Sequence, residues 1–387
     1  MMLQKHLLVV AICVSIGCFA AATPAGLEPT REPLSIVAYP EDRPIIETLR
    51  QAREAHRLMG LGDAADLDIN SHGDECIAAI GPIPPFSCLD GATIPITVNG
   101  VEPAAGQYTR GMSCDRPVQL GLSDDGQCVP YARIGQLPSF NAAGIADRDV
   151  SWIYICRRYK IRQDPAYPNF EDVAIVGHKK STGATCFFQT LSEGKGLPDG
   201  IRATRVPPPS ERSDATPAGE VQAREFWFSP RDTASIKCYT CHDSDPWVHT
   251  PYIDQVKGRA GDVNKPIVPD APTIDDPLRY TFVGSQHFTD WPPPTHFKPK
   301  DNRCVTCHRI GPFASSGVFT DYAIGLRTDN TSNAFKQYPR SHWMPPGQAS
   351  AMEEVEWNDA YKSSADQIRS CRQDSSQAAC KLRLTNP

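Results

Sequence analysis

The chain has 387 residues and a net charge of −6 at neutral pH. That length suits two domains or three, and an acidic balance with no long basic run argues against a nucleic-acid partner. With 36 prolines and 27 glycines, the composition predicts short elements joined by many loops rather than long helices.

Residues 1–22 have the layout of a secretory signal. Lys5 and His6 make a basic start, an apolar run covers Leu7 to Phe19, and the small residues Ala20, Ala21 and Ala22 follow. The run is shorter than the ~20 apolar residues a transmembrane helix needs, and no later segment is predicted to span a membrane. Cys18, in "SIGC", offers lipid attachment as the alternative to cleavage near Ala22, although Ser15 stands where a lipobox usually carries Leu. Export to the periplasm or the outer envelope is the expectation.

Residues 44–61, "PIIETLRQAREAHRLMGL", predict a helix. Pro44 suits its first turn, Ile46, Leu49, Ala52 and Leu58 recur at helical spacing, and Gly60 stops it. From about 77 to 189 the texture changes. The short apolar runs "TIPITV", "SWIYIC", "DVAIVG" and "TCFFQ" alternate with Gly, Pro, Asp and Asn, the pattern of short strands. Loss of the signal removes Cys13 and Cys18. Apart from four cysteines in a repeated motif, Cys76, Cys88, Cys114, Cys128, Cys156, Cys186, Cys371 and Cys380 remain. An even set in an exported chain reads as a disulfide framework. Neighbour pairing (76–88, 114–128, 156–186, 371–380) is the simplest of its 105 connectivities.

Residues 23–205 are thus expected to form a disulfide-stapled, mostly β domain, with 206–222 as a Pro-rich linker. Residues 223–387 should form a loop-rich, partly helical second domain, closed by a helix over 352–372 that Cys371 and Cys380 could staple to the tail. The fold class is α+β.

The second half carries "KCYTCHD" at 237–243 and "RCVTCHR" at 303–309. Two cysteines three apart on a turn present both thiols to one edge of a flat ligand. There they can form thioethers with the vinyl groups of haem, and the His directly after them binds the iron. This is the c-type haem attachment signature. It assigns Cys238 and Cys241 with His242 to one haem, and Cys304 and Cys307 with His308 to a second. A shared zinc site is the main rival, but 62 residues separate Cys241 from Cys304, against a usual gap of roughly 15–20. A thioredoxin-like dithiol is the other, and it calls for a single motif in a βαβ setting.

The two motifs resemble those of exported dihaem c-type cytochromes, and "CHDSDPWVHTPYI" and "HWMPPG" resemble stretches of large bacterial cytochrome c-domain proteins. The resemblance covers roughly 224–348, and the N-terminal half matches no activity. It implies two covalent haems, redox protein partners and single-electron transfer.

The second axial position of each iron is open to several residues. Met344, rigidified by Pro345, is the first candidate, with His342 beside it. His249, His287 and His296 are the other histidine candidates, and Met352 reads as core or surface. Trp247, Tyr252, Phe282, Trp291, Phe297, Phe313 and Trp343 would bury the haem discs. His56, His72 and His178 have no partner at metal-ligand spacing and read as ordinary structural or surface histidines. Two other functions stay open: a dihaem peroxidase-like oxidoreductase with one open haem, and a haem-containing ligand-binding or sensor module.

Overall fold

A computed structural model describes residues 68–384, apart from 99, 105, 110–111, 113, 117–127, 271–278, 325–342, 346–350 and 382. The expected signal, Cys18, the helix over 44–61 and His342 lie outside the described residues.

Among the described residues helix α1 (Ile69–Ala79) comes first, capped by Asp68, whose carboxylate accepts from the Asn70 amide at 3.2 Å. Strands β1 (Ala92–Thr93), β2 (Arg133–Leu137), β3 (Val150–Arg157), β4 (Asn169–Phe170), β5 (Asp172–Lys179), β6 (Ala184–Leu191) and β7 (Ile201–Arg202) follow. Next come α2 (Ala223–Phe226), α3 (Pro230–Ser235), the hairpin of β8 (Lys257–Arg259) and β9 (Asp262–Pro266), β10 (Thr281–Phe282), β11 (Thr295–His296) and α4 (Val318–Ala323). The chain closes with α5 (Glu354–Trp357), a π-turn over Asn358–Lys362, α6 (Ser363–Gln373) and β12 (Arg383–Leu384). The molecule is mixed α and β, and the last helical run agrees with the helix expected over 352–372.

The main sheet has the order β1-β2-β3-β5-β6-β10. Neighbours are antiparallel except β10, which runs parallel to β6. Both faces are covered. Trp152, Tyr154 and Cys156 pack on one side with Ile69 and Ile80 of the α1 segment and with Trp227. Ile153 and Ile155 pack on the other with Trp247, Tyr252 and Val256. A strand buried on both faces needs apolar residues at successive positions, which is how "SWIYIC" is written. Opposite Trp152, β5 carries Gly177. A Cβ there would sit 1.9 Å from the indole ring, so the glycine makes room for a fully buried tryptophan. The "TIPITV" run is mostly not strand. Its ladder stops at Thr93, two residues before Pro95, which has no N–H to donate.

Residues from the second half of the chain complete this sheet. β10 adds a strand to it, and Trp247, Tyr252, Tyr280 and Trp291 build the cores on one of its faces. Residues read as linker are packed as well: Val206 is buried and bridges Phe86, and Trp227 Nε1 donates to the Pro207 carbonyl at 2.8 Å. All described residues fall within one compact unit.

Four disulfides form among the described residues: Cys76–Cys186, Cys88–Cys156, Cys114–Cys128 and Cys371–Cys380. The last two follow neighbour pairing. The expected 76–88 and 156–186 pairs are corrected, and the sheet supplies the reason. Cys156 on β3 and Cys186 on β6 are separated by β5, two strand spacings or about 9.6 Å. They also lie opposite Val173 and Gly177, four residues apart along β5. A disulfide needs Cα atoms within about 7 Å. Each cysteine instead reaches off the sheet, Cys186 to α1 and Cys156 to the turn at Cys88. Four disulfides fit a chain that folds in an oxidising compartment. No helix among the described residues is long and apolar enough to cross a membrane.

Candidate functional site

Both Cys-x-x-Cys-His motifs fold into the same local structure. Residues Cys238–Thr240 and Cys304–Thr306 are single 3-10 turns. In each, the His amide donates to the carbonyl of the first cysteine, at 2.9 Å for His242 and 3.1 Å for His308. In each, the threonine hydroxyl donates to the carbonyl three residues back, Thr240 to Lys237 at 2.9 Å and Thr306 to Arg303 at 2.6 Å. The i,i+3 spacing on such a turn eclipses the two cysteines, so both thiols lie along one side.

The first motif follows α3, which Ser229 caps, and Lys237 turns the chain through a left-handed conformation (φ 59°). Trp291 Nε1 donates to the Ala234 carbonyl at 2.9 Å, and the Tyr280 hydroxyl donates to the His242 carbonyl at 2.8 Å. The His242 ring stands edge-on to Phe187 of β6, with centroids 5.2 Å apart. Its Nδ1–H donates to the Pro246 carbonyl at 2.8 Å, and burial pulls its pKa down to about 4. The ring is therefore neutral. Nε2 has no hydrogen-bond partner among the described residues, which leaves its lone pair for a metal.

The second motif rests on α6. Asn302 Oδ1 accepts from the amides of Cys304 and Val305 at 2.9 and 3.3 Å, while its Nδ2 donates to the Ser364 carbonyl at 2.7 Å. Val305, Phe297 and Ile310 pack on Ile368 and the Cys371–Cys380 disulfide. His308 is half-buried, and its pKa is lowered by loss of solvent and then by the charge on His249.

None of the four motif cysteines takes part in a disulfide. Burial pushes the Cys238 thiol up to about 12 and the Cys304 thiol up to about 11. A working dithiol nucleophile has its pKa lowered, so the environment opposes thioredoxin-like chemistry. The four thiols also do not converge within reach of one ion. The group of His, Cys, Asp or Glu that does so among the described residues is His72, Glu75 and His287.

The two motifs are neighbours, joined by the residues that leave each one. Phe313 N–H donates to Asp243 Oδ2 at 2.8 Å, Ala314 N–H to the Thr240 carbonyl at 2.9 Å, and the Ser244 hydroxyl to the Arg309 carbonyl at 3.0 Å. Arg309 lies 3.9 Å from Asp245, both buried. Burial raises Asp243 and Asp245 to about 7. Tyr239 and Phe313 stack edge to face across the junction at 5.3 Å.

The other expected ligands are distributed differently. Met344 lies beside the C-terminal helical run: its carbonyl accepts from Trp357 Nε1 at 2.8 Å, and the adjacent Trp343 packs on Trp357. None of the described contacts brings its sulfur to His242 or His308. His249 has both ring nitrogens engaged, Nδ1 with Asp254 at 3.0 Å and Nε2 with the Pro269 carbonyl at 2.9 Å. Burial alone would lower its pKa, but the Asp254 hydrogen bond and charge outweigh that and raise it. His249 therefore stands as an ion-paired side chain near His308. His296 is buried in the β11–β12 pair, and its pKa falls to about 4 through burial and then through Arg309. His287 sits with His72, which its sequence neighbours mark only as an ordinary structural or surface histidine, and with Glu75, which they do not single out. The H-x-x-E spacing at 72–75 was the available signal, but the third member lies 212 residues further on.

Comparison with known proteins returned no match: no family model fits the chain, and no curated protein or solved structure is similar to it.

Proposed function

We propose that the chain is an exported dihaem c-type cytochrome that passes single electrons between redox protein partners. The observation that carries this reading is the pairing pattern of the cysteines. The eight described cysteines outside the motifs close four disulfides, and the four motif thiols stay out of them, each pair on the same turn and followed by a half-buried histidine. A bound haem would supply reversible one-electron chemistry at iron. Cys238, Cys241, Cys304 and Cys307 would hold the two groups covalently. His242 and His308 would bind the irons, with the Pro246 carbonyl fixing the His242 tautomer.

The remaining residues have supporting roles in this reading. Tyr239, Trp291 and Phe187 exclude water on the first side, as Val305 and Phe297 do on the second, and such a dry shell tunes the potential of a metal group. Asp243, Ser244 and Arg309 hold the motifs side by side, which favours transfer within the chain over transfer through solvent. Met344, beside the C-terminal helical run that also supports the second motif, is the further residue that would help hold the iron there. Export, with the periplasm or outer envelope as destination, belongs to the same proposal.

Intact-mass spectrometry of protein matured in a haem-attaching host tests it. Two haem masses are expected on the parent chain. Cys238→Ala should weaken covalent retention of one haem and Cys304→Ala of the other, each read after denaturing extraction. A parent chain without haem mass, or one whose haem content neither substitution changes, refutes the assignment.

A further inference from the structure

We propose that His72, Glu75 and His287 form a binding site for one divalent transition-metal ion of the zinc type, separate from the two Cys-x-x-Cys-His motifs. His72 and Glu75 are three apart on α1 and so share one of its faces. His287 ends the 3-10 turn Ser285–His287 that follows β10. Glu75 Oε2 lies 3.2 Å from His72 Nδ1 and 3.9 Å from His287 Nε2, and one ligand atom from each residue falls within a 4.8 Å spread. Ligands bound at ~2.0–2.2 Å in a tetrahedron stand roughly 3.3–3.6 Å apart. A small inward movement of the His287 ring completes the set. Two imidazoles and one carboxylate are donors that zinc and its first-row neighbours accept, with the fourth position left to water on the open side of Glu75.

The surroundings are shaped for those atoms. His72 is fully buried, and its ring is held by Phe188 and Phe288 at 5.2 and 5.7 Å. Its Nε2 faces Cys76 Sγ at 3.8 Å, a sulfur already bonded to Cys186, so Nδ1 is the nitrogen turned to the site. Burial lowers the His72 pKa to about 4, which keeps the ring in its ligating form at neutral pH. Gly284 (φ 71°) passes directly over the site. A Cβ there would lie 2.8 Å from both Glu75 Oε2 and His72 Nδ1, so a larger residue would press on the very atoms that would bind the ion. Gln286 Nε2 donates to Glu75 Oε1 at 2.7 Å, the outer contact that orients a ligating carboxylate. The same amide nitrogen is 3.3 Å from His287 Nε2, a contact that metal binding would replace. The ion would tie α1 to the loop carrying Phe288 and Trp291, which pack beside the first motif.

The test uses the full chain with whatever haem it has matured with. It is equilibrated with zinc, and zinc and iron are counted separately by plasma mass spectrometry. The zinc shell is read by X-ray absorption. One zinc per chain is expected, with nitrogen and oxygen neighbours and no sulfur. Glu75→Gln and His287→Gln should each weaken binding by at least about 100-fold, and Gln286→Ala by about 10-fold, as losses of ligands and of an outer partner do. Far-UV circular dichroism and iron content should stay at the parent level. Glu75 is partly exposed, so its variant is the one expected to fold without difficulty. Zinc binding unchanged in both ligand variants overturns the proposal, and so does sulfur in the zinc shell. A chain that binds zinc as expected but carries no iron keeps this site and loses the dihaem reading.

Discussion

His178 illustrates how one buried polar side chain couples this fold to pH. It sits on β5 opposite Thr185 of β6, and its Nδ1 is 2.8 Å from the Thr185 hydroxyl. That hydroxyl donates to the Gly183 carbonyl, so Nδ1 carries the proton and donates in turn. Nε2 is buried without a hydrogen-bond partner, and Trp247 stands edge-on to the ring at 6.1 Å. Burial lowers the pKa to about 4 from an ordinary 6.5. Because the folded value is the lower one, the unfolded chain takes up the proton first. The stability contributed by the neutral ring is full above pH 6.5 and falls as pH drops toward 4, by up to about 3 kcal/mol. His178→Gln should flatten that part of the profile. Urea unfolding of parent and variant between pH 7 and pH 4.5 checks this, and parallel profiles would show that His178 does not titrate as described.

The disulfides differ in the length of chain they close. Cys76–Cys186 spans 110 residues and Cys371–Cys380 spans nine. In the chain-entropy account, closing the longer loop removes more freedom from the unfolded state, about 5 kcal/mol against about 2.5. Replacing both members by Ala should therefore destabilise the chain roughly twice as much for the first pair. Midpoints of denaturant unfolding under non-reducing conditions give the comparison, and equal losses would point to native-state strain or packing instead. The short bridge acts locally. It fixes the end of α6, against which Val305 and Phe297 hold the second motif.

The two halves of the chain share their apolar surfaces. One face of the sheet is covered by Trp247, Tyr252, Val256, Tyr280 and Trp291, all from beyond residue 222, and β10 supplies the edge strand. A chain of residues 38–205 would expose that face and leave the β6 edge unpaired, conditions that favour association over folding. Such a fragment should show no cooperative thermal transition and should bind hydrophobic dyes, whereas residues 38–387 should melt cooperatively. A sharp melt of the fragment would mean that the N-terminal half holds its own core. Within the whole unit, the first Cys-x-x-Cys-His motif, the sheet face behind it and the His72 cluster adjoin through Phe187, Trp291 and Phe288.

Features set by neighbours a few residues apart were readable in the sequence. The three long strands follow from runs apolar at successive positions, the closing helix from its own pattern, and the 114–128 and 371–380 bridges from short loops. The two Cys-x-x-Cys-His turns belong to the same class, since the spacing that places both thiols together is contained in five residues. Only the tertiary structure decided what meets across long stretches of chain. The order β3-β5-β6 keeps Cys156 from Cys186, and the return of β10 to that sheet carries His287 toward His72. The bonds from Asp243 and Ser244 set two motifs 62 residues apart side by side. Such contacts depend on strand order and on packing against both faces of a sheet, which no short window of residues contains.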